Sequence, residues 1–434
     1  MGLKLTNFLA SLRSSLWFIP LLMMLISICA AFGMLALDEH VNTNDMKLSL
    51  LFYTGGSANA REVLSTIAGS MITVAGVVFS VTVVALSLSS TQFGPRLLRT
   101  FMKDRGTQLS LGSFVATYIY CLVVLRNVIS TNDQDFIPNL SIALAIVLTL
   151  ANLMVLIYFI HNVSISIQAD HVIERVNTEL VHGMEKLFPE EIGTDTGNTT
   201  YERPEKTHYE HSIQLRHPAA GYVQALDTEA LWKLACRNDL LLEIHRIPGD
   251  HLVFDESVMT VHSSRKVAKD VIDELLDAYI LGYQRTSEQD LGATIDQLVE
   301  IALRAISPSL NDPFTAMSCI DRLCSAFCRL AGRQFPSPYR MDDNGKVRMV
   351  TQVTTTFKSM FEVAFSPIAV KAVEEFHVLE HMIKAMNKLL TFARNDDQRS
   401  VITRQRTELE QMLKALSSEK YHAILRTPDP SAKA

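Results

Sequence analysis

Apolar residues are gathered into four long runs within the first 160 positions of this 434-residue chain. The runs extend from Leu16 to Leu37, Val63 to Leu88, Leu111 to Ile129 and Leu140 to Ile160. Each is near the ~20 residues that a helix needs to cross a hydrocarbon core. The pattern therefore predicts a four-helix transmembrane domain over 1–160, with spans at about 16–37, 63–88, 110–129 and 139–160. The second run is unusual. Glu62, Thr66, Gly69, Thr73, Gly76, Ser80, Ser87 and Ser90 recur at steps of three and four, interrupted only by Val83, so a helix aligns them in one stripe. Hydrocarbon offers a hydroxyl no partner, so the stripe is expected to face protein or water.

Beyond the spans the period stays helical from His161 to Leu187, with Val172, Val176, Leu180 and Leu187 on one seam. This reads as a stalk over 161–188 that meets either a neighbouring subunit or its own domain. Residues 189–212 read as a polar linker, 213–424 as a mixed α/β, mainly helical cytoplasmic domain, and 425–434 as a flexible tail. Within that domain Tyr222–Leu226 and Leu240–Ile247 suit strands, and His251–Phe254 with Ser257–His262 suggest a return hairpin. Helices are expected over Thr228–Asn238 behind Asp227, over Val267–Tyr283, over Asp290–Ala305, and over Phe314–Ala331 with Asp312 as cap. A hairpin is expected around Asn344-Gly345, and a long helix beginning at Ser366-Pro367.

Charge sets the expected topology. Lys4 and Arg13 precede the first span, and Arg96, Arg99, Lys103 and Arg105 follow the second, whereas the connection after the third holds Asp133 and Asp135 without Lys or Arg. Cytoplasmic loops are enriched in Lys and Arg, which places both termini in the cytoplasm. Met34-Leu35-Ala36 is a poor cleavage site, so the first run is read as a retained span. The formal net charge of −6 argues against a nucleic-acid partner.

The span interiors hold no Asp, Glu, Lys or His, and Arg126 lies near the end of the third. Proton-coupled transport uses titratable relays, so that class recedes, while conduction needs only a polar lining. The stripe supplies such a lining, with Glu62 at its outer mouth, and a pore would form on the axis of a cyclic homo-oligomer. Close helix packing through small residues explains the same spacing, and Glu62 also fits a solvated side chain paired with Arg61 or Lys47. Arg96, Arg99 and Lys103 share a helical face among Leu97, Leu98, Phe101 and Met102, as in a helix lying among anionic lipid headgroups. Positive-inside retention accounts for those charges equally well.

In the later domain His377-Val378-Leu379-Glu380-His381 matches a zinc-peptidase pattern. No third ligand completes it, so neither an enzyme nor a cofactor is expected, and the histidines read as a solvated flank. Cys324 and Cys328 share a helix face without a CxxC pair, which reads as packing. Arg285, Asp290, Arg304, Asn311 and Asp312 bracket one helix, as a salt-bridged corner or as a ligand or subunit contact.

Ser89-x-x-Gln92-Phe93-Gly94-Pro95-Arg96, Gly221-Tyr222-Val223-Gln224, Gly282-Tyr283-Gln284-Arg285-Thr286 with Gln289-Asp290, and Ser307 through Ala316 carry a family likeness. The chain resembles the prokaryotic predicted membrane proteins called domain of unknown function 2254. The resemblance implies a bacterial inner-membrane protein with four spans and a cytoplasmic C-terminal domain, and it implies no activity. The residues themselves lead to two expectations: an oligomeric channel for cations or small solutes along the second span, or a membrane-anchored sensor or scaffold.

Overall fold

The computed structural model describes residues 17–40, 56–97, 104–131, 134–188, 209–352 and 355–426. The chain divides into two compact units, 1–171 and 172–434.

The first unit is built on four helices long and apolar enough to cross a membrane: α1 (Phe18–His40), α2 (Ser57–Phe93), α3 (Arg105–Asn127) and α4 (Asn139–Ser166). α3 is the hub, packing on α1, α2 and α4. Its buried side alternates large and small groups, with Phe114, Thr117, Cys121 and Val124 almost fully enclosed. α2 spans 37 residues, which at ~1.5 Å per residue is about 55 Å, well beyond a hydrocarbon core of ~30 Å. Its first half packs, through Ala60, Leu64, Ala68, Met71, Ala75 and Val78, whereas Phe79, Val81, Val83, Val84 and Leu88 stay exposed. A short antiparallel pair, β1 (Ile129–Thr131) and β2 (Gln134–Phe136), links α3 to α4.

The expected stalk is not one helix. α4 ends at Ser166, the chain turns at Ile167-Gln168, and α5 (Ala169–Leu187) begins anew. The seam of α5 packs on its own unit: Val172, Ile173, Val176, Leu180 and Met184 are buried, and Arg322 pairs with Glu174 at 3.1 Å.

After α5 the second unit continues with β3 (His211–His217), which begins inside the stretch read as linker to 212. The alternation of β3, Ile213 and Leu215 among polar residues, is too short to signal a strand by sequence. It is followed by β4 (Gly221–Leu226), α6 (Thr228–Arg237), β5 (Leu241–Ile244), β6 (His251–Leu252), β7 (Glu256–Ser263), α7 (Lys269–Asp277) and β8 (Tyr279–Gly282). With β9 (Tyr339–Met341) and β10 (Val347–Thr351) these form a five-stranded sheet, β3-β7-β5-β10-β9, and a three-stranded one, β6-β4-β8. Leu242, Ile244, Met259, Val261 and Met349 line one side of the larger sheet and join Val223, Leu226, Leu231 and Leu275 in a single core. The expected hairpin is divided: β7 pairs with β5, but β6 joins the other sheet. The helix expected over 267–283 stops at Asp277, because Tyr279–Gly282 is drawn into pairing with β4.

The remaining helices are α8 (Leu291–Ala305), α9 (Pro313–Leu330), α10 (Phe357–Lys371), α11 (Phe376–Phe392) and α12 (Asp396–Arg426). Asp227, Asp290 and Asp312 each accept a backbone N–H at their helix N-termini, from Ala230, Ala293 and Thr315. Pro367 does not start a helix; it lies inside α10, which begins at a Thr356–Ser359 capping box. The lost hydrogen bond is tolerated because α10 buries Phe357, Phe361, Phe365 and Ile368 on one face.

Candidate functional site

The stripe on α2 lies outside the bundle. Glu62, Thr66, Gly69, Thr73, Gly76, Ser80 and Ser87 are all exposed, and Ser90 is half-buried. A methyl group built on Gly69 or Gly76 meets nothing within 4 Å. Among the described residues, packing against another helix is therefore not what the small residues serve. The hydroxyls also complete themselves locally, Thr73 donating to Gly69 O at 2.8 Å and Ser80 to Gly76 O at 2.9 Å. Such back-bonding satisfies a donor on its own helix, so the chemistry of the hydroxyl alone does not force the stripe toward protein or water. Arg61 does not engage Glu62; it donates to Val128 O at the end of α3, at 2.6 and 3.2 Å.

Inside the bundle runs a second polar series that the sequence reading missed. Asn152 of α4, 3% exposed, donates to Thr117 Oγ1 of α3 at 2.7 Å, with Met71 Sδ of α2 at 3.5 Å from the same nitrogen. Ser27 of α1 donates to Ala116 O at 2.5 Å, and Tyr120 OH to Ser141 O at 3.0 Å. Asp38 at the end of α1 accepts from Leu140 N, Ser141 N and Ser141 Oγ at 2.6–2.9 Å, capping a helix distant in sequence. At the opposite end of α3, Asp104 accepts from Thr107 N, Thr107 Oγ1 and Asn162 Nδ2. The signal for this series was a single Asn within the apolar run of the fourth span. Interhelical hydrogen bonds of this kind contribute on average about 0.6 kcal/mol, at most about 1.7. Asn152→Leu is accordingly expected to lower bundle stability by about that amount, read as a modest loss of resistance to denaturing detergent.

Of the three residues read as facing lipid headgroups, Arg96 sits in the 3-10 turn Pro95–Leu97, while Arg99 and Lys103 lie outside the described residues.

In the second unit the polar corner resolves into two separate places. Arg285 binds Asp290 through two hydrogen bonds, at 2.7 and 3.0 Å, and reaches Asp296 at 2.5 Å. Burial works against the Arg285 charge, but the bonds and charges of Asp290 and Asp296 outweigh it and hold the pKa above its ordinary value. The corner is closely built: a Cβ on Gly249, whose φ is +101°, would lie 2.6 Å from Asp290 Oδ2. Beside it Gln224 Nε2 donates to Gln284 O at 2.9 Å, and Gln289 Oε1 accepts from Leu226 N at 3.0 Å. Two of the sequence motifs, 221–224 and 282–290, thus interlock across the β4–β8 pair.

Arg304, Asn311 and Asp312 are not part of that corner. They sit at the far end of α8, whose 15 residues span about 22 Å. There Arg304 pairs with Glu300 at 3.4 Å, Asn311 adopts a left-handed conformation at φ +47°, and Asp312 caps α9. His381 bonds Asp321 at 2.8 Å and His377 stacks edge-on against Phe376. Among the described residues no group of three or more His, Cys, Asp and Glu is placed to hold a metal ion.

Residues 13–388 match the family described as "Predicted membrane protein (DUF2254)". The chain belongs to that family. It is similar to an uncharacterized protein of Mycobacterium bovis, 32% identical over 303 residues, and equally to one of Mycobacterium tuberculosis. In each case the match covers 68% of this chain and 57% of the relative, so the chain spans little more than half the length of those proteins. No solved structure matches this chain. Family membership and the four apolar helices agree that this is a membrane protein in contact with the lipid bilayer.

Proposed function

We propose that the protein is a homo-oligomeric channel of the bacterial inner membrane, with both termini cytoplasmic, that conducts cations or small solutes along α2 under the control of the second unit. One observation carries this reading. α2 buries an aliphatic face formed by Ala60, Leu64, Ala68, Met71, Ala75 and Val78, and turns Thr66, Gly69, Thr73, Gly76 and Ser80 away from its own bundle. A face of that composition, exposed among the described residues, suits close approach of copies around a symmetry axis, with hydroxyls and back-bonded carbonyls lining the path. Glu62 would add a ring of carboxylates that attracts cations. The basic segment around Arg96, Arg99 and Lys103 would rest on anionic lipid.

A competing reading would route conduction inside each chain, past the buried Asn152–Thr117 hydrogen bond. Flux through purified protein in liposomes separates the two. Under the axial reading, Ser80→Leu and Thr73→Leu abolish most of the flux while Asn152→Leu leaves it largely intact. The converse pattern would move the path inside the bundle. Absence of flux across a range of voltage, ionic strength and pH would remove the channel reading in favour of a membrane-anchored sensor or scaffold.

A further inference from the structure

The five-stranded sheet ends on one side in β9, of three residues, and on the other in β3, of seven. β3 is the longer edge and the more open. His211, Ser212, Ile213 and Gln214 are exposed, on both faces of the strand, and among the described residues β3 pairs with β7 alone. Tyr209 lies against His262 of β7, their rings 6.3 Å apart, and Lys346 Nζ stands 5.4 Å from the Tyr209 ring centre. The described chain therefore enters β3 from across the sheet and does not run along its outer edge. In an antiparallel pair alternate residues bond to the neighbour, so the others turn their N–H and C=O groups outward. Folded proteins guard such an edge with lysine, proline or a bulge. β3 contains neither lysine nor proline, and the irregularity in its pairing with β7 places the extra residue, Val258, on β7, so β3 itself runs unbroken.

We propose that β3 is a self-association edge, through which two copies of this chain pair antiparallel about a twofold axis at Ile213 and merge their sheets. The occupant is a second copy because the strand complements itself. In this register the two Ile213 side chains meet on the axis, Ser212 of each copy lies opposite Gln214 of the other, and Glu210 lies opposite Arg216. Ile213 stands beside Val261 on the face that carries the core, yet it is 38% exposed, and the pairing gives it an apolar neighbour. The unlike charges oppose each other twice, which stabilises a ladder, whereas like charges in the same places weaken it. Arg216 is available for this role: its side chain is 54% exposed and lies 3.5 Å from the Asp255 carboxylate. A slip of one residue would turn the apolar side of one copy toward the polar side of the other, so the register is specified. Seven paired residues supply about six to eight backbone hydrogen bonds.

Twofold pairing joins copies in twos. It involves neither α2 nor conduction, so it stands or falls separately from the channel reading.

The test uses full-length Ile213→Cys in detergent, oxidised with copper phenanthroline and read peptide by peptide in a mass spectrometer. Directly opposed residues of an antiparallel pair have Cα atoms about 4.5–5.5 Å apart, within the range of about 4.4–6.8 Å that a disulfide spans. A 213–213 disulfide can only join two chains. Its yield is expected to exceed by ~10-fold or more that of a 358–358 link in Lys358→Cys, an exposed position on α10, because paired strands hold the thiols at high effective concentration. Adding Glu210→Arg sets arginines opposite each other and is expected to weaken the association about 2- to 30-fold. Adding Arg216→Glu to that variant restores the link. Glu210 and Arg216 are exposed, and protection of the buried Cys319 from alkylation verifies that each variant is folded. A link no more abundant than at position 358, or one indifferent to the charge at position 210, would overturn the proposal. So would a swapped pair that fails to restore the link while Cys319 stays protected.

Discussion

Phe327→Ala is expected to cost the second unit about 3–5 kcal/mol, as truncating a fully buried aromatic does. Phe327 is 1% exposed on α9, and its ring meets those of Phe357, Phe361 and Phe365 at centroid distances of 5.5–5.9 Å. Those three rings line one face of α10, the helix that continues through Pro367. Removing Phe327 takes away their common partner and leaves a cavity that two packed helices cannot easily close. The readout is alkylation of Cys319, buried in the same unit, as a function of denaturant in the full-length protein. Cys121, buried in the first unit, serves as the internal control. A shift in Cys319 protection of less than about 1 kcal/mol would mean that the aromatic cluster is not what holds α9 to α10.

Arg285→Ala is expected to have the second largest effect. It would leave Asp290 and Asp296, which the guanidinium now bridges, as neighbouring carboxylates without a cation between them. Breaking a buried pair costs about 3–5 kcal/mol. Arg285 is 31% exposed, so solvent screening reduces the expectation to about 2–3 kcal/mol. Arg304→Ala provides the contrast, since its bond to Glu300 is a helical i,i+4 pair worth about 0.3–0.5 kcal/mol. A double change, Arg285→Met with Asp290→Asn, should recover part of the loss, because no buried carboxylate is then stranded at the cap. Equal effects of Arg285→Ala and Arg304→Ala on Cys319 protection would show that the corner is an ordinary surface contact.

Local signals were legible where a single stretch of chain carries them. The four spans needed only uninterrupted apolar length, and the caps Asp227, Asp290 and Asp312 needed only a short acidic side chain before an amphipathic run. By sequence, Tyr279–Gly282 resembles the end of a helix because its apolar residues continue the helical period of Lys269–Asp277. What makes it a strand is pairing with Gly221–Leu226, more than 50 positions earlier in the chain. Ser366-Pro367 has the form of a helix start, and the burial of the α10 phenylalanines that overrides it is invisible in a local window.

The amino-acid sequence alone determined that this is a membrane protein of four apolar helices followed by a mainly helical domain, because hydrocarbon thickness and helical rise translate directly into run length. It also determined that Thr66, Gly69, Thr73, Gly76 and Ser80 share one face of α2, since that follows from a 3.6-residue turn. Only the tertiary structure decided that α3 is the hub, that the α2 stripe points away from the bundle, and that Asn152 and Thr117 form a buried pair instead. Periodicity states which residues lie together on a helix. Which face is buried depends on the shapes of three other helices, and the sequence specifies those only through their packing.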